Sequence, residues 1–149
     1  MGLGRFKPTT YFLFSLLLAL GLHFLLPVVR VVRSPLRSGG IVLIVAGIWL
    51  NIWADNLFKQ RNTAVEPFRE SSALVLEGPY RVSRHPMYLG MTAVLIGLAI
   101  LLGSLTAFLV PVLFLFVMEV GFIRHEERDM ERTFGEEYIR YRRRVRRWF

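Results

Sequence analysis

The sequence predicts an all-α integral membrane protein, with four transmembrane helices and a cytoplasmic amphipathic C-terminal helix, from three observations. Four apolar runs, at 10–32, 39–58, 87–102 and 105–123, each approach the roughly 20 residues that cross a hydrocarbon core of about 30 Å. The chain is 54 % hydrophobic yet carries a net charge of +8, so apolar and basic residues have to be segregated along it. After Ile123 the chain becomes a charged amphipathic segment, interrupted at Gly135, in which Phe134, Tyr138, Tyr141 and Trp148 recur among arginines; it is expected to lie against the membrane surface. With 149 residues there is room for one domain, 1–149, divided into a helical hairpin (1–58), a cytoplasmic connector (59–86) and a second hairpin with the C-terminal helix (87–149).

The first run follows Arg5 and Lys7 in the manner of a signal peptide. No small-x-small cleavage site comes after it and the chain soon turns apolar again, so it reads as a first transmembrane helix. In the second run Asn51 and Asp55 stand four apart on one helix face, where they hold a helix pair together or line a polar cavity. His23 reads as a helix-packing histidine. The third run is short and is expected to tilt or to be capped by interfacial residues. Only Gly103 and Ser104 separate it from the fourth, which requires a tight antiparallel hairpin.

Basic residues set the orientation. Lys59, Arg61, Arg69, Arg81 and Arg84 fall between the second and third runs, and Arg140, Arg142, Arg143, Arg144, Arg146 and Arg147 fall in the tail. Both segments, and with them both termini, belong in the cytoplasm. The connection bearing Arg30, Arg33 and Arg37 is then placed outside against the rule, which leaves a partly re-entrant first hairpin as the alternative. The connector contains Pro67, Gly78 and Pro79 and no long apolar stretch; structureless segments of this length are usually functional or disordered, and this one ends in an ordered motif.

That motif runs from Gly78 through Tyr80, Arg81, Ser83, Arg84, His85, Pro86, Met87, Tyr88 and Leu89 to Gly90, where the connector enters the third helix. Pro86 suits a first helical turn and pushes His85 out of helical geometry, holding it at the helix mouth. Free backbone N–H groups there, beside Arg81 and Arg84, suit a carboxylate or phosphate. Gly90, Ala93 and Gly97 leave a shallow face that a neighbouring helix or a flat ligand can approach. A second cluster, Glu119 with His125, Glu126 and Glu127, closes the fourth helix; a carboxylate inside an apolar run is a functional candidate by default. Glu119 and Glu126, seven apart, share a helix face. Facing each other across the last hairpin, the two clusters suit a zwitterionic ligand, with Arg84 and Glu119 assigned to substrate. The same residues read equally well as positive-inside anchors, belt aromatics, packing glycines and an interfacial ion-pair network, with Glu127 paired to Arg124 or Arg128. With no cysteine and three histidines, disulfides, a cysteine nucleophile and a metal centre are not expected.

The segment 84–90, preceded by Gly78-Pro79-Tyr80 and followed by Glu126-Glu127 and Phe134-Gly135-Glu136-Glu137-Tyr138, closely resembles the isoprenylcysteine carboxyl methyltransferase and phospholipid methyltransferase family over 74–148. The resemblance implies an S-adenosylmethionine-dependent membrane methyltransferase. It implies that His85, Pro86, Tyr88, Leu89, Gly90 and Glu126 surround the cofactor, and that Glu127 lies near the reacting groups. The family's carboxyl methyltransferases carry an arginine shortly before that glutamate. Phe122 and Ile123 occupy that region here, and Arg124 is the nearest counterpart. The implied acceptor is a lipid-like carboxylate or amine, with anionic headgroups at the arginine-rich tail and no nucleic acid. An NADPH-dependent reductase of related fold and a non-enzymatic membrane interaction protein are the competing readings.

Overall fold

The computed structural model describes residues 7–26, 29–32, 35–60 and 74–149. Arg5, Arg33 and the connector positions Arg61, Pro67 and Arg69 lie outside the described residues. The described residues form an all-helical body of α1 (Pro8–Leu25), α2 (Gly39–Gln60), α3 (Pro86–Leu102), α4 (Leu105–Met118), α5 (Arg124–Phe134) and α6 (Glu136–Arg144). A π-helical turn, Glu119–Ile123, joins α4 to α5 without a break. Short 3-10 turns precede α2 (Leu36–Ser38) and α3 (Gly78–Arg81).

Three of these helical stretches are long and apolar enough to cross a membrane, Pro8–Leu25, Leu36–Gln60 and Leu105–Phe134, and α3 is a shorter apolar helix. The apolar part of the last stretch ends at Ile123, and from Arg124 the helix is charged. Outward faces of α1, α2 and α4 carry exposed Phe14, Leu17, Val42, Trp49, Leu109 and Phe116. Such a belt is tolerable only where the surroundings are lipid, which makes the chain an integral membrane protein.

The first apolar run is shorter than its hydropathy implies. Its helix ends at Leu25, and Leu26 leaves helical geometry (φ −132°, ψ 69°) because Pro27 follows it. Beyond it, Val31 N–H donates to Gly103 O at 2.8 Å and Leu105 N–H to Val29 O at 3.0 Å. The two short connections therefore close the same end of the bundle. Nor do the first two helices close on each other as a hairpin: α2 packs mainly on α3, while α1 packs on α4 and α3. Helix α3 is central, with nine buried residues among its 17.

Small residues explain how α2 and α3 approach. A Cβ on Gly47 would lie 2.5 Å from Gly90 O, and one on Gly97 would lie 2.5 Å from Gly40 O. The shallow face of α3 is thus filled by a helix. Asn51 donates from Nδ2 to Gly47 O at 2.8 Å and packs over Gly90, with its buried Oδ1 unpartnered; Asp55 pairs with Lys59 at 2.5 Å. His23 packs against the ring of Phe24, and its buried Nδ1 has no partner either.

Candidate functional site

The site lies at the opposite end from the short connections, where the mouth of α3, the π turn, α5 and the last residues meet. Gly78 adopts φ +57°, a conformation side chains resist, and starts the turn that buries Tyr80. His85 caps α3 outside helical geometry (φ −127°, ψ 57°) and Pro86 takes the first helical position. Ser83, 1 % exposed, accepts from His85 N–H at 3.2 Å and donates to Arg147 O at 3.0 Å.

On this frame sits a cluster of charge. Arg84 donates from Nε and Nη2 to Glu127 Oε1 at 3.1 and 2.6 Å, and both side chains keep less than a tenth of their surface exposed. Arg147 grips the same carboxylate from the other side, Nε to Oε1 at 3.0 Å and Nη2 to Oε2 at 2.5 Å, and reaches Glu119 Oε1 from Nη1 at 2.5 Å. Tyr88 donates its hydroxyl to Glu126 Oε1 at 2.5 Å. The His85 ring stacks on Tyr88 and lies between the two glutamates, 3.5 Å from Glu126 and 3.4 Å from Glu127.

Burial works against charge on His85, but hydrogen bonds to Glu126 and Glu127 outweigh it, so the imidazole titrates above its ordinary value. For Glu127 burial acts to raise the pKa, while the donors His85, Arg147 and Arg84 prevail and hold the carboxyl far below the usual range. A carboxylate so held is a poor proton acceptor.

Of the candidate residues, Arg84, His85, Tyr88, Glu119, Glu126 and Glu127 come together. Pro86 is buried beneath them, and Leu89, half-buried, donates its N–H to His85 O at 3.1 Å. Gly90 faces α2. Arg124 stays at the rim, 59 % exposed and 3.7 Å from Glu119, so the pairing of Glu127 with Arg124 or Arg128 that the competing ion-pair reading required gives way to Arg84 and Arg147. The expected alignment of Glu119 with Glu126 also shifts. Seven residues advance an α-helix by about 700°, close to two turns. A π turn holds roughly one residue more, which brings Glu127 into line with Glu119, and Arg147 bridges those two.

Arg147 is the cluster residue that sequence reasoning missed; Val145 and Trp148 bracket Arg146 as well and mark a docked segment without singling Arg147 out. Val145 is buried with Tyr138 and Tyr141 against Leu74 and Leu76, and Trp148 packs on the α1–α3–α4 core. Phe134, Tyr138, Tyr141 and Trp148, expected at the membrane surface, thus turn into the protein: the first three meet the apolar face that Leu74 and Leu76 of the connector offer, and Trp148 meets the helical core. Tyr141 also donates its hydroxyl to Tyr80 O at 2.7 Å.

A phospholipid methyltransferase family model matches residues 36–137, most of the chain. An uncharacterized protein of Haemophilus influenzae is 39 % identical over 62 residues, 42 % of this chain and 98 % of that protein. Among solved structures, the eukaryotic intramembrane Ras methyltransferase, isoprenylcysteine carboxyl methyltransferase, matches with a TM-score of 0.66 at 24 % identity. That match takes in 95 % of this chain, which spans 51 % of the solved one, and it establishes a shared fold.

Proposed function

This chain belongs to the phospholipid methyltransferase family, and from that premise we propose that it transfers a methyl group from S-adenosylmethionine to the polar head of a lipid-like acceptor at the membrane surface. The observation that carries the reading is the charged cluster set against an apolar bundle: His85, Tyr88, Glu126 and Glu127 in mutual contact where α3 begins. In this reading four helices cross the membrane, with the short α3 at their centre, so that both termini share the side of this end, and the basic residues of the connector and tail favour the cytoplasm for that side. The exposed tail arginines lie near anionic headgroups. In this reading 1–149 acts as one methyltransferase domain, with 87–149 carrying the cofactor.

The donor set suits the cofactor. Glu126 keeps 20 % of its side chain exposed and has acceptor capacity beyond its bond from Tyr88, as an ammonium or ribose hydroxyl requires. His85, Tyr88 and Leu89 complete that side, whereas Pro86 lies buried beneath them and Gly90, expected beside the cofactor, is committed to close packing on Asn51 and Gly47 of α2. S-adenosylmethionine supplies, when bound, a methyl group already activated on a sulfonium. The chain's tasks are therefore placement and exclusion of water. Glu127, fixed by Arg84 and Arg147, acts as an orienting anion on the acceptor side rather than as a base, with Arg124 and Glu119 at the rim.

The test is incubation of the purified chain in lipid nanodiscs with methyl-labelled S-adenosylmethionine and a membrane lipid extract. Label should appear in an extractable lipid. Binding of NADPH with no label transfer would favour the reductase reading instead.

A further inference from the structure

We infer that Arg147 receives an anionic group of the acceptor, a carboxylate or phosphate on an apolar chain, and that Glu119 occupies its guanidinium until the acceptor arrives. The inference deepens the methyltransferase reading and rests on it for the meaning of "acceptor"; the anion site itself stands on geometry alone.

Three observations converge. First, the backbone that presents Arg147 is fixed independently of its side chain. Ser83 Oγ donates to Arg147 O, Arg84 N–H donates to Arg146 O at 3.1 Å, Arg84 Nη1 donates to Val145 O at 2.8 Å, and Trp148 is packed in the core. Second, the cluster is graded in access. Arg84 and Glu127 are 9 % and 8 % exposed, while Arg147 and Glu119 are 35 % and 23 % exposed. The inner pair is a frame, and the outer pair can exchange partners without desolvating a charge. Third, Glu119 stands where the apolar run of α4 ends, the depth at which the head of an amphipathic molecule would sit. An arginine held bidentate by Glu127 still offers Nη1 there, and an incoming anion can replace Glu119 on it bond for bond.

The test uses the full chain in nanodiscs of neutral lipid, with dodecanoate, dodecyl phosphate and dodecylamine as probes and S-adenosylmethionine titrated separately. Wild type should bind one or both anions in preference to the amine, and the better of the two identifies the group. Arg147→Gln should weaken anion binding at least tenfold, Arg147→Lys should restore part of it, and cofactor affinity should stay within twofold. Glu119→Gln should strengthen anion binding several-fold, because it removes a competitor; a merely structural ion pair predicts the opposite sign. Weaker or unchanged anion binding in Glu119→Gln overturns the proposal. So does a loss in Arg147→Gln confined to the cofactor. Failure of wild type to bind S-adenosylmethionine while these anion effects persist would count against the methyltransferase reading and leave the anion site standing.

Discussion

The two ends of the bundle solve one problem in different ways. Each has to satisfy helix termini and chain crossings, and each holds one isolated backbone bridge, Arg30 with Ser104 at one end and Ser83 with Arg146 at the other. At the first end the bonds run mainly through backbone atoms: Val31 N–H to Gly103 O, Leu105 N–H to Val29 O, and Arg37 Nε to Val32 O at 2.9 Å. Gly103 turns the chain there with φ +68°. At the other end side chains do most of the closing, with Arg84, Arg147, His85, Tyr88 and three glutamates in contact. Backbone pairs are committed to one another, whereas exposed side-chain pairs can be traded for a ligand. The proposed function uses the end whose bonds are exchangeable.

The comparison breaks most sharply at Glu127. Glu127→Ala leaves Arg84 buried without its carboxylate and releases Arg147, and should cost about 3–5 kcal/mol of stability, read as a lowered melting temperature in detergent. No loss would mean that the inner pair is not a frame. Next in size is the apolar seam between the ends. Gly97→Val drives its side chain into Gly40 O and Ile44 and should cost about 1–3 kcal/mol by the same measurement. It should do so without changing the salt dependence of stability.

A smaller effect follows from His85. Its folded-state pKa lies above the ordinary value of 6.5, so protonated His85 contributes stability that is fully present below about that pH and is lost as pH rises through the folded value. Melting temperature should therefore fall as pH is raised above about 6.5 and through the folded-state value, and the fall should flatten in His85→Gln. An unchanged slope in that variant would remove His85 from the cluster's charge balance.

Much of this arrangement was legible in the residues. Apolar runs located the helices, the Gly103-Ser104 pair located the last turn, and Arg84, His85 and Tyr88 with Glu126 and Glu127 marked the residues that meet in the charged cluster. What escaped has physical causes. The end of α1 is set by Pro27 and not by hydropathy, which continues past it. The π turn Glu119–Ile123 has no sequence marker, since it is stabilised by packing of buried Phe122 and Ile123, and it changed which glutamate faces Glu119. Arg147 is chemically indistinguishable from its neighbouring arginines, and only tertiary docking of Val145 and Trp148 selects it. Pairing of α2 with α3 depends on where two glycine faces meet, which no single helix pattern declares.

The most direct test of the claim that the side-chain-closed end is the cofactor site is calorimetric titration of S-adenosylmethionine into the chain in nanodiscs. Wild type is compared with His85→Ala and Glu126→Gln at one end and with Arg30→Ala at the other. Loss of a polar partner in a partly desolvated site should cost each of the first two about 1–3 kcal/mol of binding. Arg30→Ala should bind as wild type does. Equal affinity in all four proteins, or a loss confined to Arg30→Ala, would contradict the account.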